Sequence, residues 1–184
     1  MHESGLNIVD YQNMQINYRL PALVLFFGVL LLCGIIFVSR HILRNVTISE
    51  PLGWYWLSPP YPIQVDKVYT MKVPVEFLSL VKQLGYKSNA KALFKKVVAK
   101  DGDIIKVTDE GILINNKLMR SSQGIETFKG ISLHPLPVGY QYKLKPNEYF
   151  MMGDTSHSFD SRYFGVVKEN DIENEARLIL RSNT

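Results

Sequence analysis

The pattern of apolar and polar positions changes character twice along this chain. Residues 1–20 are polar and read as a loose tail. Pro21–Ser39, "PALVLFFGVLLLCGIIFVS", is then 19 residues without a charge, bracketed by Arg19 and Arg40. A helix of that length, at about 1.5 Å per residue, reaches roughly 28 Å, close to the hydrocarbon thickness of a bilayer. Beyond Asn45 the apolar positions alternate or come in short runs broken by Pro, Gly and Asn, which is a strand pattern. "WYWL" predicts a strand stopped by "SPPYP", since Pro cannot sit in a central strand. "DKVYTMKV" and "ALFKKVVA" predict strands. Between them Phe77, Leu78, Leu80, Val81 and Leu84 are spaced for a short amphipathic helix ended by Gly85. "IIKVTDEGILINNKLM" predicts hairpins turning at Glu110-Gly111 and Asn115-Asn116. Residues 121–147 read as irregular. "EYFMMGD" and "YFGVV" predict strands around the loop "TSHSFDSR", and "ARLILRS" a strand that closes the sheet. The expected architecture is a mainly β, antiparallel sheet or barrel-like domain over residues 45–184, on one transmembrane helix over 21–39.

Composition sharpens this picture at three points. A cleaved signal peptide would have an apolar core of about 7–15 residues ending at a small-x-small site. The run here is longer and leads into "RHILRN" without such a site, so a retained anchor is expected. From residue 45 on there remain 18 basic and 15 acidic residues, a normally solvated surface with no basic stripe interleaved with aromatics. No nucleic-acid partner is expected. Cys33 is the only cysteine and lies in the apolar run, so the β domain has no disulfide, no thiolate metal site and no cysteine nucleophile. No metal or cofactor is expected. Arg40 and Arg44 follow the span whereas Arg19 alone precedes it, a weak argument for a cytoplasmic C-terminal side.

Three separated stretches carry unusual polar residues beside β-prone runs: "NVTISEPLG", "LFKKVVAKDGD" and "MMGDTSHSFDSRYFG". In the first, Ser49 is a nucleophile candidate, and a serine needs a nearby base. Pro51 fixes its own φ and pushes Glu50 toward extended backbone, while Gly53 permits a close approach or a positive φ. Thr47, two residues before Ser49, would share its direction in an extended chain and help bind an oxyanion beside the Ser49 backbone N–H. A plain surface turn explains the same residues. In the second stretch a lysine would serve as base only if burial lowers its pKa from about 10.4. Strand alternation sends Lys95 and Lys96 to opposite faces and does not choose between them. In the third, Asp160 and Arg162 are close enough to pair, and Asp154 is also within reach of Arg162.

Together these stretches resemble the serine, lysine and C-terminal boxes of the type I signal peptidases, in order and relative spacing, after a single membrane helix. The likeness is greatest to the TraF-like branch, the peptidases of conjugal transfer systems. "NVTISEPLGWY" fits its N-x-T/S-x-S-x-P-x-G-x-Y pattern, and "LGYKSNAKALFKKVVAKDGD" and "SFDSRYFG" resemble its later segments. The resemblance implies that Ser49 attacks the scissile carbonyl with Lys95 as general base. It implies an oxyanion hole from the Ser49 amide and the Thr47 hydroxyl, and Ser158 orienting the lysine amine. Asp160 and Arg162 match the supporting ion pair, and Asp154 the aspartate of the family's Gly-Asp. It further implies a bacterial inner-membrane enzyme, with residues 1–20 cytoplasmic and the catalytic domain periplasmic. Its partners would be the lipid bilayer and precursors with signal sequences, foremost a pilin subunit. The cleaved end would be released or joined into a ring. "AKDGD" departs from the family's usual apolar residue and proline before Gly-Asp, and "GDTSHSFD" lacks the Asn-Arg of many members.

Three other readings compete. His157 would form a triad with Ser49 and Asp154 or Asp160, since triads follow geometry and not chain order. A self-cleaving repressor would need a DNA-binding domain, for which 20 residues before the span are too few. An anchored scaffold subunit of a secretion machine would keep the fold without the activity. Trp54, Tyr55, Trp56 and Tyr61 suit either a membrane–water boundary or ordinary strand core.

Overall fold

The computed structural model describes residues 19–85 and 92–182. The Gly-Tyr pair at 85–86 and "KSNA" after it lie largely outside the described residues. The chain divides into two units between Arg40 and His41. The first contains α1 (Arg19–His41) up to Arg40; the helix is apolar between its charged ends, has no buried residue, and is long enough to cross a membrane.

The second unit is built on strands. In chain order they are β1 (Ile42–Asn45), β2 (Gly53–Ser58), β3 (Val68–Met71), β4 (Leu93–Ala99), β5 (Ile104–Thr108), β6 (Gly111–Ile114) and β7 (Lys117–Leu118). There follow β8 (Thr127–Phe128), β9 (Ile131–Ser132), β10 (Gln141–Lys143), β11 (Glu148–Met152), β12 (Val167–Lys168) and β13 (Ile172–Arg181). All pairings are antiparallel. Seven strands form the main sheet in the order β1-β2-β13-β3-β4-β11-β12, and β10-β5-β6-β7 form a smaller one. The mainly antiparallel β domain expected from the sequence is therefore present, with the apolar helix ahead of it.

Two buried clusters flank the main sheet. One gathers Tyr69, Met71, Leu93, Val97, Met151, Phe159 and Tyr163; the other gathers Ala99, Ile105, Ile112, Leu144, Phe150 and Met152. Consecutive residues of β11 thus face opposite cores, as the two-residue side-chain period of a strand requires. On β4, Leu93 and Val97 point into the first cluster, so Lys95 between them is turned inward as well.

The structure amends the sequence reading in several places. "NVTISEPLG" is the connection of the β1–β2 hairpin, closed where Asn45 faces Gly53, and its centre is a turn and not extended chain. Gly53 is there for close approach: an added Cβ would overlap the Leu180 carbonyl oxygen and stand 3.0 Å from Arg181 Cα on β13. The first hairpin turn lies at Asp109-Glu110, with Gly111 opening β6, whereas Asn115 and Asn116 turn as expected, both at positive φ. "YFGVV" is not one strand. Ser161–Phe164 is a short helix, α3 (α2 is Leu78–Gln83), because the Asp160 carboxylate accepts from the Arg162 N–H at its start and Gly165 leaves it at φ 75°. "ARLILRS" belongs to β13, which begins at Ile172 and lies between β2 and β3 instead of at an edge. Tyr55 is core, its hydroxyl donating to the Pro51 carbonyl at 2.8 Å, so of the aromatic quartet it has no place at a boundary. Trp54 and Tyr61 remain exposed, and Trp56 stacks on His41.

Candidate active site

Asn45, the last residue of β1, ties the hairpin connection together and is itself buried. Its Nδ2 donates to the carbonyls of Thr47, Glu50 and Pro51 at 3.0, 3.0 and 3.2 Å. Its Oδ1 accepts from the Thr47 N–H at 3.0 Å and the Thr47 hydroxyl at 2.8 Å. A hydroxyl has one proton. With that proton given to Asn45, Thr47 Oγ1 can only accept from Ser49, whose Oγ is 3.1 Å away. The chain of donation runs Ser49, Thr47, Asn45. Thr47 does reach Ser49, as anticipated, but through a turn held by Asn45 and not through extended backbone.

The second and third stretches meet this turn at Gly153. The Asp154 N–H donates to the Ser49 carbonyl at 2.7 Å. A Cβ on Gly153 would overlap Ser158 Oγ and stand 2.8 Å from the Ser49 carbonyl oxygen, so only glycine lets these segments close. Met152 of β11 pairs with Lys96 of β4. One step along that register brings Gly153 level with Lys95. Ser49, Ser158 and Lys95 are thereby gathered around one glycine, all buried, Lys95 at 0% exposure.

Burial dominates the chemistry of that lysine. Removing the ammonium from water pulls the Lys95 pKa down to about 8, against the carboxylates of Asp160 and Glu50, which favour its charged form; Arg162 adds to the lowering. Neither Lys95 Nζ nor Ser158 Oγ makes a hydrogen bond among the described residues, so the contact the resemblance implies between them is not formed here. Lys96 points the other way and pairs with Asp154 at 2.7 Å. That partner corrects the expectation that Asp154 reaches Arg162.

Asp160 and Arg162 form the anticipated ion pair, fully buried. Arg162 Nε donates to Oδ1 at 2.8 Å and NH2 to Oδ2 at 2.6 Å, a two-point contact. Asp160 Oδ2 also accepts from the Gly153 N–H at 2.9 Å. The remaining Arg162 protons go to carbonyls, among them Ser121 at 2.9 Å, Thr155 at 2.8 Å and Ser158 at 3.1 Å. One side chain thus shapes the loop that carries Ser158. His157 is exposed, with its ring beside Phe128 and its Nδ1 3.4 Å from Ser156 Oγ. Both candidate acids for a triad are engaged elsewhere, Asp154 with Lys96 and Asp160 with Arg162.

With this geometry in place, comparison with known proteins is decisive. Residues 18–181 match the family described as signal peptidase, peptidase S26. The chain belongs to the peptidase S26 family. Among its relatives, two plasmid transfer proteins TraF of Escherichia coli are 35% identical over 148 residues and 29% over 145. Each alignment covers 74% of this chain, with 81% and 80% of the relative. Signal peptidase I V of Bacillus subtilis (strain 168) is 33% identical over 92 residues, 45% of this chain and 54% of that protein. This S26 member is accordingly a signal peptidase-like serine peptidase, related to TraF, with an N-terminal helix apolar and long enough to cross a membrane.

Reading residue by residue overlooked three members of the site. Asn45 stood in the motif without a role, although an Asn next to a turn rich in Thr and Ser is a known local hydrogen-bonding signal. Gly153 was only the neighbour of Asp154. Glu50, a carboxyl that is 2% exposed, gave no signal except its position directly after Ser49. Among the described residues no three His, Cys, Asp or Glu side chains gather as they would around a metal ion.

Proposed function

We propose that this protein is a membrane-anchored endopeptidase that removes signal sequences from exported precursors by a Ser49/Lys95 dyad. The observation that carries the reading is Lys95: a lysine wholly buried on the core face of β4, level with the glycine against which the Ser49 turn is packed. Such a lysine is a usable base because its neutral form tolerates burial.

The steps follow from the hydrogen bonds. Rotation of the Ser49 hydroxyl away from Thr47 aims its proton at the Lys95 amine; catalytic hydrogen bonds are often unformed before substrate binds. Ser49 Oγ attacks the scissile carbonyl carbon as Lys95 takes the proton. The oxyanion is held by the Ser49 N–H and by the Thr47 hydroxyl, turned from Asn45 once Thr47 no longer accepts from Ser49. Lys95 gives its proton to the leaving amine. Then it activates the water that opens the acyl-enzyme. Ser158 orients the amine, and the Asp160–Arg162 pair holds the loop that carries Ser158.

Kinship with plasmid transfer proteins supports a substrate in a conjugation apparatus, and the substrate proposed is a pilin-type subunit. In this reading α1 anchors the protein and the site works where a signal helix ends, on the outer side of the bacterial inner membrane; the exposed Trp54 and Tyr61 support a boundary location. The arginines flanking α1 argue weakly against that side. A reporter fused after residue 184 tests it: activity confined to cytoplasm-specific reporters overturns the topology. Mass spectrometry of the mature pilin, from cells with and without this protein and with Ser49→Ala, tests the activity. A mature pilin with a new amino end marks hydrolytic removal of a signal sequence; a chain cut near its carboxyl end and lighter by one water than the cut linear chain marks ring closure, its own amino group replacing water at the acyl-enzyme. A precursor processed equally well in all three strains refutes the proposal.

A further inference from the structure

The site contains one acid that the mechanism above does not use. Glu50 follows Ser49 directly, its backbone carbonyl is held by Asn45, and both its carboxyl oxygens are buried without a hydrogen-bond partner among the described residues. The Lys96 backbone N–H lies close to that carboxyl without forming a well-aligned bond.

Pairing the charges of the site singles Glu50 out. Glu50 is faced by Asp154, Lys96, Lys95 and Tyr55. Lys95 is faced by Asp160, Glu50 and Arg162. Asp160 is bound to Arg162 at 2.6 Å and Asp154 to Lys96 at 2.7 Å. The Tyr55 hydroxyl donates to Pro51. Two groups of this set are left over, the Glu50 carboxyl and the Lys95 amine, each buried and each without a partner.

Resting on the dyad reading, we infer that Glu50 is a positioning residue for Lys95: the two are the buried acid and base left without a partner in one site, and the charge on Glu50 sets how readily the amine becomes neutral. The physical reason is that neither group can ionise alone in a dry pocket without a counter-charge. Burial, reinforced by Asp154, pushes Glu50 up to about 8, the same range to which burial pulls Lys95. With its proton on, Glu50 is neutral and lets Lys95 shed its own. With its proton off, it holds the ammonium in place.

The test is a side-chain NMR titration of the full-length chain in detergent micelles, following the Lys95 13Cε signal, assigned with Lys95→Arg, in wild type, Glu50→Gln and Glu50→Asp. Removing the negative charge of a carboxylate that favours the charged amine should lower the Lys95 midpoint in Glu50→Gln by about half a pH unit or more, about a threefold gain in neutral amine. The acid limb of kcat/KM should move by the same amount, and Glu50→Asp should stay near wild type. An unmoved Lys95 midpoint in folded Glu50→Gln overturns the inference. Should Glu50→Gln not fold, the wild-type Glu50 13Cδ signal decides: it must titrate over the same pH interval as Lys95, and titration near ordinary carboxyl values overturns the inference. Failure of the dyad reading is separate, since it appears as full cleavage by Lys95→Ala whatever the Glu50 titration shows.

Discussion

Asn45→Ala is the most informative perturbation of the nucleophile's turn. The amide offers two protons to three carbonyls, and its oxygen takes two more bonds from Thr47, so about four full hydrogen bonds are lost. At about 1 kcal/mol net each, the ceiling is about 4 kcal/mol. Thr47 is half-buried, so water restores part of this, and about 2–3 kcal/mol is the expected loss. That is within the stability of an ordinary domain, so the variant folds. The effect on rate is larger. Thr47 loses the acceptor that fixes it, and Ser49 loses its fixed neighbour. A displacement of the nucleophile by about 1 Å costs on the order of 10²-fold in kcat. Asn45→Asp keeps the one oxygen that accepts both Thr47 bonds but sets a second carboxylate oxygen against three carbonyls, so it should lose at least as much stability as Asn45→Ala. The assay pairs thermal unfolding of the purified protein with single-turnover cleavage of a signal-bearing precursor. A lowered Tm with wild-type cleavage would refute the reasoning, because it would make Asn45 a fastener of the loop without influence on Ser49.

Other consequences follow from the same contacts. Gly153→Ala places a methyl group on Ser158 Oγ and against the Ser49 carbonyl, so turnover should fall on the order of 10²-fold with about 1–3 kcal/mol lost, read by cleavage rate and Tm. Arg162→Lys loses the two-point contact to Asp160 and most bonds to the Ser158 loop; about 3–5 kcal/mol of destabilisation is expected in denaturant unfolding. For Lys95 the sign follows from the proposed dyad, in which the neutral amine acts: kcat/KM should rise with pH up to about 8 and level off above it. At pH 7 about one-tenth of the amine is neutral, so the rate there should be about one-tenth of the plateau.

The legible parts of the molecule were those carried by short-range pattern. Alternation marks β3, β-prone runs mark β2, β4 and β11, and Asn115-Asn116 announces its turn. Legibility failed where a side chain from elsewhere decides the local backbone. α3 exists because Asp160 caps it, and its own "SRYF" carries no helical period. Alternation sets Lys95 and Lys96 on opposite faces but not which face is buried; that is settled by Leu93 and Val97 packing into one core. Asp154 was matched to the wrong cation because the pairing of Met152 with Lys96 is a long-range register. Asn45, Glu50 and Gly153 matter through contacts across the turn and across β4–β11, which no local window contains.

The account turns on the Lys95 amine as the base for Ser49. Purified Lys95→Ala and His157→Ala, assayed side by side on one signal-bearing precursor, test it most directly. Lys95→Ala should be inactive while folded, and His157→Ala should cleave at close to the wild-type rate. A dead His157→Ala beside a Lys95→Ala that keeps full turnover would contradict it.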